Sequence, residues 1–397
     1  MKVLILTSTF PRWHGDKEPP FVYDLSLRIS KRYHCTILAP HHKGSKTKET
    51  MSNMEIRRFR YLPTSMQTLA YDGGIISKLK QNKLRYLQIP FFLFFEFLST
   101  VNLLRKTNFQ VIHAHWVIPQ GLIVALARIV TRKKTPILCT LHGGDLYTLN
   151  NFILNKLKIF ILNQVDSITV VSKVMKHDLI ELGIDEAKIH VIPMGVDFKN
   201  TFKPIPNIKK NTHSVLFVGR LVEKKGVKFL IQAMQKVIMT LPDAELYIAG
   251  TGTEHDNLVN LANKFGIQQN IHFLGSIHNT GLPLLYNQHP VVAFPSVIAK
   301  SGDMEGFGLV LSEALGCECG VVASNLPAVR DIVKHDFNAL IVEPEDIDAL
   351  SNAIIKLLQD KTLAIKLGQN GRDFVLKNFD WETISNQYIK LISYIQT

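Results

Sequence analysis

The sequence predicts an α/β protein with two domains, each built on a parallel sheet. Short apolar runs typical of buried strands alternate with stretches of helical periodicity, starting with strand 2–7, helix 21–32 and strand 35–39. Polar loops are predicted at 11–20 and 43–53, and strands of the second half at 245–249, 291–294 and 320–324. The chain of 397 residues is long for one domain and comfortable for two. Residues 198–213 hold two prolines and show no periodicity, and we interpret them as the linker between the halves.

The composition indicates a globular protein with an anionic partner. Hydrophobic residues make up 46% of the chain and charged residues 20%, which allows a sizeable core. The net charge of +13 suits nucleic acid, an anionic membrane or a phosphorylated substrate. The basic residues are spread along the chain without a nucleic-acid-binding signature, and we therefore expect no nucleic acid partner.

The four cysteines favour a cytoplasmic location, because their spacing does not indicate a disulfide framework. Cys317-Glu318-Cys319 lacks the second pair or nearby histidine that a zinc site needs, so we expect no metal. The apolar run after Met1-Lys2 is too short for a signal sequence and is interpreted as the first strand.

A basic and aromatic stretch at 75–106 has two interpretations. It can be a core helix with solvated flanks, or a surface that rests on anionic lipid at the inner face of a membrane. We do not expect it to span a bilayer, which takes roughly 18 apolar residues. Its most apolar part is interrupted by Pro90, Glu96 and Asn102.

Polar residues follow several predicted strands of the first half. Residues 111–112 lead into His113 and His115, and the strand 136–140 leads into His142-Gly143-Gly144. Such positions form the lip of the ligand cleft in parallel α/β domains. A histidine before two glycines can approach a ligand closely, so His142 is a candidate functional residue, although a lone histidine is more often structural.

The second half restarts with a strand, a basic loop and a helix. Ser214–Val218 leads into Gly219-Arg220, and Lys225-Gly226 precedes renewed helical spacing. An arginine can bind phosphate oxygens through two hydrogen bonds, and a lysine can act as a point charge. This is not a Walker loop, because the Gly-Lys-Ser/Thr ending is missing.

Residues 301–316 combine a glycine-rich loop with an apolar helical pattern. The start of such a helix presents unpaired N–H groups and a positive dipole end, which suit a phosphate. Glu305 in the loop and Glu313 on the helix are better suited to hydroxyl groups, because ionised carboxylates only accept hydrogen bonds. The pattern fits a nucleotide sugar. The alternative is a loop and a buried helix whose glutamates face solvent.

In this order, these motifs resemble those of the retaining glycosyltransferases of family 4, which have the GT-B fold. The resemblance covers nearly the whole chain. Its motifs are the Glu-x7-Glu pattern from Glu305 to Glu313, Gly219-Arg220-Leu221, Lys225-Gly226, His142-Gly143 and the segment Val191-Ile-Pro-Met-Gly-Val-Asp197.

The resemblance implies two Rossmann-like domains that face each other across an interdomain cleft. Residues 1–198 would form the acceptor-side domain, completed by a C-terminal helix at 379–397 that crosses back to it. Residues 199–378 would form the domain that binds the nucleotide sugar.

The resemblance also implies a donor site. Arg220 and Lys225 would neutralise the donor diphosphate, and Glu313 would accept hydrogen bonds from the ribose hydroxyls. Phosphate and sugar oxygens would be held by backbone N–H groups at the helix start, from Gly306, Phe307, Gly308 and Leu309.

Two residues are implied at the reacting sugar. Glu305 would accept hydrogen bonds from it, and His142 would lie beside it. The chain departs from the family pattern in the first loop, where His14-Gly15-Asp16 occupies a region that often carries Gly-Gly. Acceptor and phosphate contacts of that loop are therefore not carried over.

The predicted reaction is the transfer of a sugar from a nucleoside diphosphate sugar to a hydroxyl acceptor, with retention of anomeric configuration. Fixed cations take the place of a metal opposite the leaving diphosphate, so no cofactor is expected. The basic and aromatic stretch at 75–106 favours a glycan or lipid-linked acceptor of the cell envelope, and a soluble sugar acceptor of the sucrose or trehalose type is the alternative. Two alternatives remain, a sugar-nucleotide epimerase of the same fold and a non-catalytic scaffold on a membrane.

Overall fold

The structure, a computed structural model, describes residues 1–16, 18, 20–147 and 151–396, so the predicted loop 11–20 is described only in part. The chain divides into two compact units. Unit 1 comprises Met1–Pro193 and Ile384–Thr397, and unit 2 comprises Met194–Thr383. The division lies a few residues before the boundary predicted at 198/199.

Unit 1 is built on a nearly all-parallel sheet. Its strands are Lys2–Leu6 (β1), His34–Pro40 (β2), Lys48–Met51 (β3), Met54–Phe59 (β4), Val111–His115 (β5), Ile137–Leu141 (β6), Ser167–Val170 (β7) and Ile189–Val191 (β8). Their order is β3-β4-β2-β1-β5-β6-β7-β8. β3 pairs with β4 antiparallel, and the other described pairs are parallel.

The helices of unit 1 connect these strands. They are Phe21–Ile29 (α1), Gly74–Gln81 (α2), Ile89–Lys106 (α3), Leu122–Thr131 (α4), Gly144–Tyr147 (α5), Phe152–Gln164 (α6) and Lys173–Glu181 (α7). The central strands β5 and β6 are buried along their whole length. Strands buried on both faces are expected when crossover helices cover a parallel sheet.

Unit 2 repeats the plan with a fully parallel sheet. Its strands are Ser214–Val218 (β9), Glu245–Ala249 (β10), Ile271–Gly275 (β11), Val291–Phe294 (β12), Gly320–Ser324 (β13) and Leu340–Val342 (β14). They lie in the order β11-β10-β9-β12-β13-β14. Its helices are Val227–Thr240 (α8), His255–Lys264 (α9), Leu282–Gln288 (α10), Leu309–Gly316 (α11), Ile347–Gln359 (α12) and Lys361–Phe379 (α13). The predicted α/β class with two parallel-sheet domains is confirmed.

The last helix, Trp381–Tyr394 (α14), begins in unit 2 and ends in unit 1. Its end packs in unit 1, where the Tyr33 hydroxyl lies 2.6 Å from the Ser393 hydroxyl and the Tyr388 hydroxyl donates to Thr169 at 3.4 Å. The predicted return of the C-terminal helix to the first domain is confirmed.

Three local expectations were wrong. Residues 43–53 were expected as a polar loop, but 48–51 form the edge strand β3, whose exposed side needs no apolar residues. His113 and His115 were expected beyond the end of a strand, but both lie inside β5 and are fully buried.

The third difference concerns the length of the apolar segment. Lys83–Lys106 is helical throughout and, by length and composition alone, is long and apolar enough to cross a membrane, with a mean hydropathy of 1.6. Pro90 does not break it, because proline is tolerated in the first turn of a helix. Glu96 does not interrupt it either, since its side chain is buried against unit 1.

Candidate functional site

The strand order of unit 2 reverses between β9 and β12. The chain moves outward from β9 to β11 and then restarts at β12, moving the opposite way to β14. Ligands of open parallel sheets bind outside the carboxyl ends of the strands at such a switch point. The loop 219–226 follows β9 and the loop 295–308 follows β12, so the two loops that hold the predicted donor residues flank this point.

Gly226 brings these two loops into contact. Its φ of +63° is in the left-handed region, and a Cβ there would clash with the carbonyl oxygen of Pro295. The N–H of Val297 donates to the carbonyl of Lys224 at 2.8 Å. This close approach places Lys224 and Lys225 beside the loop after β12.

Two ion pairs join the loops. Lys225 Nζ lies 2.5 Å from Glu305 Oε2, and Lys224 Nζ lies 2.9 Å from Asp303 Oδ1. The side chains of Lys225 and Glu305 are only 11% and 16% exposed. The structure therefore fixes a mostly buried pair of opposite charges at the switch point.

Arg220 adds a further positive charge to this place. Its side chain is exposed, unlike that of Lys225. Burial alone would raise the pKa of Glu305, but the charges of Lys225, Lys224 and Arg220 outweigh it and hold that pKa below its usual range. Glu305 is thus ionised at neutral pH, and the three cations give the site a net positive charge.

The glycine-rich loop ends at the start of α11. Gly308 caps the helix with φ of +99°, and Leu309 is the first helical residue. The Phe307 side chain is buried, and its ring lies 5.5 Å from the ring of Phe379. The conformation from Gly306 to Leu309 is therefore anchored by packing, and the first N–H groups of the helix have no partner within the helix.

Glu313 lies one helix turn further along α11 and has a different partner. The hydroxyl of Tyr286 donates to Glu313 Oε2 at 2.9 Å. Burial raises the pKa of Glu313 to about 7, although the hydrogen bond from Tyr286 opposes this. This carboxyl is therefore divided between its neutral and ionised forms at neutral pH.

The Gly-x-Gly at Gly250 and Gly252 has a packing role. A Cβ at Gly250 would clash with the carbonyl oxygen of Gly219, and one at Gly252 would clash with that of Leu221. The N–H of Leu221 donates to the carbonyl of Thr251 at 2.9 Å. The two glycines allow the loop after β10 to support the loop that holds Arg220.

In unit 1, His142 is held by its backbone and its ring. Its N–H donates to Asp145 Oδ1 at 3.1 Å, and its Nε2 lies 3.0 Å from His115 Nδ1. The rings of Phe21 and Trp116 each lie 5.0 Å from its ring. Burial lowers the pKa of His142 to about 3, so the imidazole is neutral at physiological pH.

A buried polar network continues from His115 toward α14. The rings of His113 and His115 lie 4.2 Å apart, and His113 Nε2 lies 2.8 Å from the Thr140 hydroxyl. That hydroxyl lies 2.5 Å from Thr169, which accepts from Tyr388. Burial lowers the pKa of His113 to about 3 and that of His115 well below its usual value. The network is therefore uncharged.

The structure thus brings Arg220, Lys225 and Glu305 together in unit 2, with Glu313 on the helix that follows. His142 lies in unit 1. Sequence reasoning missed Lys224, Asp303 and Tyr286. The charge of Lys224, next to Lys225, was an available signal, whereas Tyr286 lies 27 residues before its partner and shows no local pattern.

Within the described part of the chain, no group of three or more histidine, cysteine, aspartate or glutamate residues is placed to hold a metal ion.

Family models match most of the chain. Residues 20–200 match the model described as Glycosyltransferase Family 4, and residues 198–374 match that described as Glycosyl transferases group 1.

Curated relatives are identical to this chain at about a quarter of the aligned positions. An uncharacterized glycosyltransferase of Methanocaldococcus jannaschii is 27% identical over 62% of this chain and 65% of its own. The N-acetyl-alpha-D-glucosaminyl L-malate synthase of Bacillus anthracis is 26% identical over 72% of this chain and 74% of its own. A GDP-mannose-dependent alpha-(1-6)-phosphatidylinositol monomannoside mannosyltransferase of Mycolicibacterium smegmatis is 29% identical over 58% of this chain and 63% of its own. The chain thus spans about two thirds of the length of these relatives.

Solved structures share the fold over the full length. Sucrose-phosphate synthase from Thermosynechococcus elongatus has a TM-score of 0.78 at 22% identity, covering 99% of this chain and 98% of that one. Anabaena HepE in complex with UDP-glucose has a TM-score of 0.74 at 19% identity, covering 99% and 100%. The strand orders, the end of the C-terminal helix in unit 1 and these matches all indicate the same fold. The chain belongs to the glycosyltransferases of the group 1 and family 4 type, which have the GT-B fold.

Proposed function

We propose that this protein transfers a sugar from a nucleoside diphosphate sugar to a hydroxyl group of a glycan or lipid-linked acceptor, with retention of anomeric configuration. The observation that supports this most is the cluster of Arg220, Lys224, Lys225 and Glu305 at the switch point of unit 2. HepE, a protein of the same fold, was crystallised with UDP and with UDP-glucose.

The cations of unit 2 match the charge that develops in such a reaction. When the bond between the sugar and the phosphate breaks, negative charge grows on the leaving diphosphate. Arg220 and Lys225 are proposed to stabilise that charge, together with the N–H groups from Gly306 to Leu309. In this proposal the fixed cations replace a metal ion.

The two glutamates are proposed to bind hydroxyl groups. Lys225 keeps Glu305 ionised, so that its second oxygen can accept from the sugar. One oxygen of Glu313 accepts from the hydroxyl of Tyr286, and the carboxyl group is proposed to accept also from the ribose hydroxyls. Glu305 lies in the loop before α11 and Glu313 lies on the helix itself, so the two carboxyl groups are set apart, as a donor with hydroxyls on both sides of its diphosphate requires.

His142 is proposed to contact the reacting sugar as a neutral group. Its pKa of about 3 excludes an imidazolium at neutral pH, so it acts through hydrogen bonding. A positive charge beside the sugar would oppose the positive charge that grows on the ring. We favour attack of the acceptor on the same face as the leaving phosphate, with the phosphate accepting the acceptor's proton, because no carboxylate of this set is an evident nucleophile.

The first experiment identifies the donor and then removes one cation. A thermal-shift panel of nucleotide sugars selects the donor, since a ligand that binds the folded state raises its stability. With that donor, we expect Arg220→Ala to lower the transfer rate by roughly 10²–10³. Lys264→Ala, which removes an exposed cation at the end of α9, is the matched control.

Product analysis completes the test. NMR of the product is expected to show the same anomeric configuration as the donor. Full activity of Arg220→Ala with unchanged donor affinity would refute the assignment of the diphosphate site. Conversion of the donor without any acceptor would instead indicate an epimerase. The setting that we propose is envelope glycan synthesis at the inner face of a membrane.

A further inference from the structure

Unit 1 carries a broad exposed apolar surface, which we call the three-helix face. It consists of the outer sides of α3, α4 and α6 and the turn before α3. Large apolar side chains are exposed on all of these elements, among them Leu87, Phe94, Leu98, Ile129, Ile153 and Phe160. Leu87 is 71% exposed, Phe94 54%, Ile129 55% and Ile153 76%. Exposed apolar residues concentrated on one surface usually mark a site of interaction.

The topology explains why these helices share one side of the sheet. From β4 the chain crosses to β5, then to β6 and β7, always in the same direction across the sheet. Crossovers between parallel strands are right-handed, so helices on successive crossovers in one direction lie on the same side. α3 packs against α4, and α4 packs against α6. Their outer sides therefore form one continuous surface.

The helices of this surface carry mainly basic charges, and Asp166, just after α6, pairs with Arg128 of α4. The segments 74–106, 122–131 and 152–164 together contain one carboxylate, Glu96. Glu96 is fully buried and accepts from Gln120 Nε2 at 3.0 Å. Basic side chains are exposed beside the apolar area, including Lys83, Lys106 and Lys156. The face thus offers an apolar centre with a cationic border.

The inner side of α3 indicates how the helix lies. Phe92, Glu96, Thr100 and Leu104 recur every fourth residue, and all four are buried against unit 1. A helix that crossed a bilayer as a lone span would have to leave this packing and expose the sheet behind it. A helix with one face packed on the protein and an apolar outer face with basic flanks is suited to lie in the plane of a membrane surface.

We propose that the three-helix face docks unit 1 on an anionic phospholipid bilayer, with α3 lying in the interface rather than spanning it. The apolar side chains enter the headgroup and acyl boundary, and the basic border contacts anionic headgroups. A second copy of the chain fits this face less well, because pairing would bring two cationic borders together. The inference concerns binding to lipid and does not depend on the proposed transfer reaction.

Vesicle flotation tests the proposal with the full chain. One set of vesicles is phosphatidylcholine, and the other is equal parts of phosphatidylcholine and phosphatidylglycerol. We expect flotation with the anionic vesicles only, weakening as salt is raised because the border charges are screened. Replacing Lys83 or Lys106 by glutamine is expected to weaken binding by roughly five-fold each.

A matched pair of variants tests whether vesicle binding depends on the three-helix face or on exposed apolar residues in general. Phe94→Glu places a charge in the centre of this face and is expected to weaken vesicle binding at least ten-fold, because a large apolar side chain no longer enters the bilayer. Met239→Glu changes a 79% exposed apolar residue of α8 in unit 2 and is expected to bind like the unchanged protein. Circular dichroism melting checks that both variants are folded.

Several outcomes would overturn the proposal. If the protein does not bind anionic vesicles at low salt, or if Phe94→Glu binds them as well as the unchanged protein does, the three-helix face is not a lipid-binding surface. A dimer in light scattering that Phe94→Glu abolishes assigns the face to a second copy. Retention on vesicles after alkaline carbonate extraction would show that the helix spans the bilayer, whereas release supports docking in the plane.

Discussion

Each unit is built on a parallel sheet, but the candidate functional residues of the two units lie in surroundings of different charge. In unit 2 the candidate site holds three cations and an ionised glutamate. In unit 1 the ring of His142 contacts the neutral ring of His115 and two aromatic rings, and its backbone N–H donates to the carboxyl group of Asp145. A charged diphosphate needs the first environment, and a sugar ring that gains positive charge is better served by the second. The proposed assignment of the diphosphate to unit 2 and of the sugar to His142 follows this difference.

The largest effect that this comparison predicts is at Lys225. Lys225→Ala removes a cation from the proposed site of the leaving diphosphate and removes the ion-pair partner of Glu305, so we expect the transfer rate to fall by roughly 10²–10³. Steady-state kinetics with the donor from the thermal-shift panel measure this. Lys224→Ala breaks the neighbouring ion pair with Asp303 and serves as the control, with a smaller loss. Equal losses would contradict a particular role of Lys225 at the diphosphate.

The next effect is a pH dependence of donor affinity, which we expect from Glu313 in unit 2. Glu313 has a pKa of about 7, raised by burial, so its ionised fraction rises as the pH passes through 7. If ribose hydroxyls donate to the ionised form, donor affinity should increase roughly ten-fold between about pH 6 and about pH 8. Calorimetric titration across this range measures it. Glu313→Gln is expected to bind weakly with a flat profile, and an unchanged slope in that variant would assign the dependence to another group.

His142 is expected to give a smaller effect without a pH dependence of its own. Its pKa of about 3 keeps it neutral throughout the range in which donor binding changes. His142→Ala removes one hydrogen bond between neutral groups, which corresponds to a loss of roughly three- to ten-fold in the turnover number. Affinity for the free nucleoside diphosphate should be unchanged, because the nucleotide is assigned to unit 2. Loss of nucleotide affinity in this variant would contradict the division between the units.

The fold was predictable from the sequence because buried parallel strands are continuous apolar runs. β9, β10, β12 and β13 fall on the residues that the pattern predicted. The edge strand β3 was not predictable, since its residues face solvent and lack alternation. The histidines of β5 broke the apolar pattern, because their partners, Thr140 for His113 and His142 for His115, lie outside that strand.

The candidate site was predictable in its residue types and less so in its pairing. Glycines at 219 and 226 and the cations between them marked a loop for an anion, and the switch point in strand order places that loop beside Glu305. The sequence did not indicate that Lys225 pairs with this glutamate. Nor did it indicate the partner of Glu313. The contact with Tyr286 joins α10 to α11, and the strand β12 and the loop 295–308 lie between these helices in the sequence. The roles of these residues remain predictions.

The smallest effect on donor affinity should come from a change at Tyr286. This change tests whether the pH dependence is caused by Glu313. The hydroxyl of Tyr286 stabilises the ionised form of Glu313, so Tyr286→Phe should move the pKa of that carboxyl further above its usual value. Donor affinity is then expected to fall by roughly three-fold at neutral pH and to recover in alkaline solution, where Glu313 ionises without help. Calorimetric titration over the same pH range as for Glu313→Gln measures the midpoint. A lowered affinity that persists in alkaline solution would mean that Tyr286 supports the helix α11 rather than the charge of Glu313.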